Sequence, residues 1–97
     1  MPTPPTEPDV AVIGGGVVGG AIALGLARNG AKVAILDEGD TAFRASRGNF
    51  ALVWVQSKGF GMPDYALWSR RSADSWHEFA ASLAGETGID VAHSQPG

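Results

Sequence analysis

The sequence predicts an α/β fold: a parallel βαβ unit, then a third strand or extended segment, then one amphipathic helix. Three observations carry this. An apolar run of β-branched character, Val10–Ile13, stops at three consecutive glycines. An uncharged stretch of helical length follows directly. A second apolar run, residues 32–36, ends on the acid Asp37. Strand, turn, helix and strand in that order and length make a right-handed βαβ unit.

Taken in order, residues 1–8 carry Pro2, Pro4, Pro5 and Pro8 and read as a disordered, proline-rich tail without function. Val10–Ile13 suits a strand buried on both faces of a parallel sheet. Gly14, Gly15 and Gly16 allow a turn that side chains would block. A helix is predicted over residues 17–29, with Val18, Ile22, Gly25, Leu26 and Asn29 on one face. Gly30 suits the position just past its end. Residues 32–36 form the second strand. Residues 38–48 are polar and glycine-containing, mostly loop with room for one helical turn.

Residues 51–56, ALVWVQ, read as a third strand or extended segment, and residues 57–61 as a glycine-rich connection. Pro63 suits the first position of a helix. That helix is predicted to run to about Thr87, with Trp68, Ser72, Trp76, Phe79 and Leu83 along one stripe. Arg70, Arg71, Asp74 and Glu78 lie off the stripe. Gly88 ends the helix, and residues 89–91 begin something extended. There is no internal repeat.

Ninety-seven residues fit one domain at most. One βαβ unit and one helix leave sheet edges and helix faces uncovered. Residues 9–97 are therefore expected to be the N-terminal, incomplete part of a larger doubly wound domain, or a subunit that needs a partner.

Composition narrows the function. The net charge of -3, without a basic stripe, argues against a nucleic-acid partner. Cysteine is absent, which removes disulfides, thiolate metal sites, cysteine nucleophiles and a cysteinyl-linked cofactor. Redox chemistry then requires a bound cofactor. His77 and His93 show no metal-ligand spacing, and no metal is expected. Residues 10–27 are uncharged and about long enough to cross a bilayer. Gly15 with Gly19, and Gly16 with Gly20, even match a helix-dimer pattern. The strand-like opening and the glycine content argue against a membrane span, and the tail before it has no Lys or Arg to make a signal peptide. A cytoplasmic protein is expected.

The glycines carry the functional argument. Gly14-x-Gly16-x-x-Gly19 follows a strand and opens a helix. The first glycine permits the tight turn, the second lets backbone approach a pyrophosphate, and the third lets helix and strand pack closely. Asp37 follows about 20 residues on, where an acid accepts hydrogen bonds from the adenosine ribose. The helix has no Ser, Thr, Asp or Asn near its start, so its first amides are orphan donors that a pyrophosphate satisfies. Asp37 followed by Glu38 disfavours a 2′-phosphate. For Glu38 alone, a solvated charge and an adenosine contact are equally good readings. These residues leave FAD and NAD both open.

The stretch DVAVIGGGVVGGAIALGLARNGAKVAILDEG, followed by ASRGNFALVWVQSKG, resembles the N-terminus of the D-amino-acid oxidase family of flavoproteins. The nearest branch is that of glycine and sarcosine oxidases, opine oxidases and D-hydroxyproline dehydrogenase subunits. The likeness covers nearly the whole chain, and the segment Ala45-Ser46-Arg47-Gly48-Asn49-Phe50-Ala51-Leu52 is its more discriminating part. It implies FAD as the cofactor. It implies that Val17 and Val18 offer backbone to the pyrophosphate, and that Asp37 and Glu38 meet the adenosine. Arg44, Ala45 and Ser46 line the phosphate side, while Asn49, Phe50, Ala51 and Leu52 approach the isoalloxazine. Family members are several times longer, and their substrate-binding arginine and tyrosine have no counterpart in these residues. No catalytic residue is assigned.

The residues agree in part. Ser46 and Asn49 are small polar groups in a glycine-bearing loop, and Arg44 and Arg47 put positive charge near two phosphates. For either arginine alone, surface solubility is an equal reading. Trp54, Trp68 and Trp76 are candidates for stacking, but the helix stripe makes core packing the better reading for the last two. His77 and His93 receive no role.

The expected function is the FAD-binding segment of a flavin-dependent oxidoreductase. It acts on the C–N bond of an amino or imino acid of D-amino acid, opine or hydroxyproline type. A hydride leaves the carbon bearing the amine, and the resulting imine hydrolyses. The 97 residues alone are expected to be inactive. The rival is an isolated nucleotide-binding or interaction module without catalytic activity, and a third reading is an NAD-dependent dehydrogenase. Expected partners are the small-molecule substrate and a missing C-terminal part, a partner subunit or a second copy.

Overall fold

A computed structural model describes Thr3, residues 6–39 and residues 44–96. The chain forms two compact units, one up to Phe50 and one from Ala51. The disorder expected for residues 1, 2, 4 and 5, and the loop expected at 40–43, lie outside the described residues.

The first unit is the expected βαβ arrangement: β1 (Val10–Ile13), α1 (Val17–Arg28) and β2 (Val33–Leu36). β1 and β2 pair in parallel, with Val10 opposite Val33 and Ile13 opposite Leu36. Bonds outside the strands extend the ladder. The Asp9 N–H donates to the Lys32 carbonyl at 2.8 Å, and the Gly14 N–H to the Leu36 carbonyl at 2.7 Å. The Asp9 carboxylate also accepts the Lys32 N–H at 2.8 Å, which fixes the approach to β2. α1 ends as its sequence suggests. The Gly30 N–H reaches the Ala27 carbonyl and the Ala31 N–H the Leu26 carbonyl, so two late carbonyls of the helix are satisfied.

The covered face of α1 is not the one expected. Gly19, Ala23 and Leu26 are covered, whereas Val18 is 73% exposed and Ile22 is also open. The reason is the close approach of the helix to the strands. A Cβ on Gly19 would overlap the Gly14 carbonyl oxygen and stand 3.3 Å from Val12 Cγ1. Only a small-residue face fits that gap, so the larger Val18 and Ile22 turn outward. β1 likewise differs from a strand buried on both faces: Ile13 is 79% exposed.

The second unit contains α2 (Pro63–Asp74) and α3 (Trp76–Thr87). Pro63 opens α2 and Gly88 closes α3, as read from the sequence. The single helix expected over 63–87 is broken at Ser75. The Ser75 hydroxyl donates to the Ser72 carbonyl at 2.8 Å, a side-chain bond back to i−3 that competes with the helical ladder. Residues 51–56 form no strand. Ala51 sits in the left-handed region (φ 57°), and the Val55 N–H is taken by the neighbouring Gln56 side chain at 3.2 Å. The described sheet has two strands, and residues 89–91 add none.

Small residues also decide the packing of α2. Its covered positions are Ala66, Ser69 and Ala73, while Trp68 is 67% exposed. Trp68 is therefore not core; it lines an open cleft of about 320 Å³ with Leu52, Trp54, Tyr65 and Trp76. Trp76 is half-buried, meets Phe79 edge-on at 5.4 Å between centroids, and stacks on His93 at 6.3 Å. Among the described residues the buried apolar side chains are Ala23, Ala34 and Ala80, and no helix is long and apolar enough to cross a membrane.

Candidate functional site

The parallel register places the end of β1 beside the end of β2. Ile13 opposes Leu36, so the glycine turn that leaves β1 lies level with Asp37. The Asp37 carboxylate accepts the Gly15 N–H on one oxygen at 2.7 Å and the Gly39 N–H on the other at 2.8 Å. These two amides, the Gly15 one foremost, hold the carboxyl below its usual range, and Arg44 nearby acts in the same direction. Asp37 remains exposed. A carboxylate has about four lone-pair sites, so each oxygen keeps room for a further donor such as a ribose hydroxyl.

The glycines of the turn do separate work. Gly14 turns the chain with φ 101°, a conformation that L side chains disfavour. A Cβ on Gly16 would stand 2.9 Å from the Ser46 hydroxyl oxygen. Gly19 lets α1 settle against the end of β1. The helix thus begins immediately beside the strand tip, with its positive end at the glycine turn.

The sequence suggests that the first amides of α1 lack partners. The structure corrects this for Val17, whose N–H donates to the Ser46 hydroxyl at 3.0 Å. The first bond back to a carbonyl four residues earlier runs from the Gly20 N–H to Gly16 at 2.8 Å. Val18 and Gly19 therefore have no such acceptor within the helix.

Ser46 lies on a single helical turn. The Arg47 and Gly48 N–H groups donate to the Arg44 carbonyl at 3.0 and 2.8 Å, and Ala45 sits within that turn. The Arg44 guanidinium pairs with the Glu38 carboxylate. The structure thus joins Gly14, Gly16, Val17, Gly19, Asp37, Glu38, Arg44 and Ser46 in one unit. Asn49 and Phe50 close that unit, with Phe50 83% exposed, while Ala51 and Leu52 begin the next.

Sequence reasoning does not single out Gly15 or Gly39 as site residues, although they orient the acid. The signal for them is the strand register, which sets Gly15 beside Asp37, and the glycine two residues beyond the acid.

Chemically the arrangement suits a dinucleotide. Backbone donors at a helix start, glycines in the turn before it, and an exposed acid beside that turn are the kinds of group such a ligand requires. Over residues 9–97 the chain matches a family described as FAD dependent oxidoreductase. It is 55% identical over 91 residues to an opine oxidase subunit of Agrobacterium tumefaciens (strain Ach5). It is 50% identical over 91 residues to the opine oxidase subunit of the same name from Rhizobium meliloti. Each alignment covers 94% of this chain and 24% of the relative, so the chain spans about a quarter of the length of these relatives. No solved structure matches it.

Proposed function

Because the chain belongs to the family of FAD-dependent oxidoreductases, we propose that its first unit holds the ADP half of FAD in an enzyme that oxidises the C–N bond of an amino or imino acid. The observation that supports this best is the pairing of the glycine turn with Asp37, because it offers anion-binding amides and a ribose acceptor on one surface. Gly14, Gly16 and Gly19 keep side chains out of the pyrophosphate's path. The Val17 and Val18 amides donate to it, and Asp37 accepts from the ribose. Glu38, Arg44, Ala45 and Ser46 border the adenosine and phosphates. Asn49, Phe50, Ala51 and Leu52 run toward the flavin ring. When bound, FAD accepts the hydride released as the carbon bearing the amine is oxidised to an imine, which water then hydrolyses.

The substrate is of opine, D-amino acid or hydroxyproline type. The names of both relatives support the opine branch, and both are named as subunits, which supports a partner subunit. Residues 9–97 act as the N-terminal part of the FAD-binding domain. Substrate binding and catalysis belong to further sequence of the kind that makes up the rest of the relatives' length. The cytoplasmic setting expected from the sequence is part of this reading, and cell fractionation tests it.

The test is the visible spectrum of the purified full-length gene product, followed by turnover of opines and D-amino acids with an artificial electron acceptor. Flavin absorption bleached by one of these substrates is the expected result. A colourless protein that takes up no FAD refutes the proposal.

A further inference from the structure

The amide that begins α1 is capped from outside the helix. A capping hydroxyl normally belongs to the residue just before the first turn. Gly16 stands at that position and has no side chain to offer. Ser46, 29 residues from Val17 along the chain, supplies the oxygen at 3.0 Å instead. Gly16 leaves room for it, since a Cβ there would stand 2.9 Å from the Ser46 oxygen. The carrying turn is closed on the Arg44 carbonyl, and Arg44 is itself paired with Glu38.

We infer that Ser46 is a displaceable cap, which holds the phosphate-binding end of α1 in the cofactor-free protein and releases the Val17 amide when FAD loads. This rests on the FAD site proposed above. A hydroxyl oxygen and a phosphate oxygen compete for the same N–H. The phosphate is charged and sits at the positive end of the helix dipole, so its hydrogen bond is the stronger. The exchange therefore runs toward the cofactor. Ser46 is exposed, so its hydroxyl can be handed to water without opening a cavity. Ser46 is a positioning residue acting through Val17. It governs how fast FAD is taken up more than how slowly it leaves.

The test uses full-length protein stripped of FAD, as wild type, Ser46→Ala and Ser46→Thr. Hydrogen exchange at the Val17 amide is measured without FAD, and flavin fluorescence follows uptake and release after rapid mixing. Ser46→Ala is expected to speed Val17 exchange about fivefold and FAD uptake by a similar factor, the size of one modest hydrogen bond. Ser46→Thr restores the wild-type values in both measurements. Unchanged Val17 exchange, or unchanged uptake whatever release does, overturns the cap. Failure of all three proteins to bind FAD overturns the proposed cofactor site instead.

Discussion

The Asp37 carboxylate accepts the Gly15 amide at 2.7 Å, which ties the tip of β2 to the turn that leaves β1. Its other oxygen takes the Gly39 amide, so one side chain spans the end of the parallel pair and the start of the following loop. The same carboxylate stands exposed, and the proposed FAD site would have it meet the ribose. Under that proposal, its structural role and a ligand-binding one would be coupled.

Asp37→Asn is expected to weaken FAD binding to the full-length protein about tenfold or more. The amide keeps one acceptor oxygen but turns an NH2 donor toward a backbone N–H. Calorimetry measures this, and an affinity within about twofold of wild type would contradict the coupled role.

The charge state of Asp37 sets a pH window. Its carboxyl titrates below the ordinary Asp range because the folded turn hydrogen-bonds the ionised form. The stability it contributes is therefore complete above the unfolded carboxyl's pKa. It is lost as pH falls below that value and through the lowered one. A pH titration of the Gly15 amide resonance is expected to show its inflection on the acid side of the usual Asp range. The inflection disappears in Asp37→Asn.

Two glycines of α1 are expected to respond in opposite directions. Gly19→Ala drives a methyl into the Gly14 carbonyl and should cost about 2 kcal/mol or more. Gly25→Ala meets nothing within 4 Å. It should stabilise by about 0.5–1 kcal/mol, because glycine loses more chain entropy on folding. Urea denaturation of the two variants decides, and shifts of the same sign would refute the close-approach argument.

The strands, α1 and the glycine turn are legible in the sequence because glycine spacing and apolar runs report backbone requirements directly. Faces are harder to read. Ranking α1 by side-chain size selects Val18 and Ile22, whereas the contact is made by Gly19 and Ala23, where smallness sets the approach. Size misleads at Trp68 for the same reason: α2 lies on Ala66, Ser69 and Ala73. ALVWVQ has strand composition, but composition does not supply a neighbouring strand, and the segment opens on the left-handed Ala51. The Gly15–Asp37 and Val17–Ser46 bonds depend on register and on a loop's path, which no local window contains.

The break at Ser75 is also testable. Ser75→Ala removes the hydroxyl that bonds the Ser72 carbonyl and adds a better helix former. Backbone carbon shifts should then report one uninterrupted helix from α2 into α3, with a gain of up to about 0.5 kcal/mol. Persistence of the break would show that the hydroxyl is not its cause.

Ala23 has a consequence beyond packing. It is buried on the same face of α1 as Gly19, roughly 9 Å along the axis from Val17 at the usual helical rise. A larger residue there would pry up the far part of a rod whose other end carries the amides assigned to the phosphates in the proposed site. The helix would then act as a lever with its fulcrum at Gly19, so that a buried methyl group would set the aim of the first amides. Under the proposed FAD site, a substitution at Ala23 would then alter cofactor affinity through the helix and not through a contact of its own.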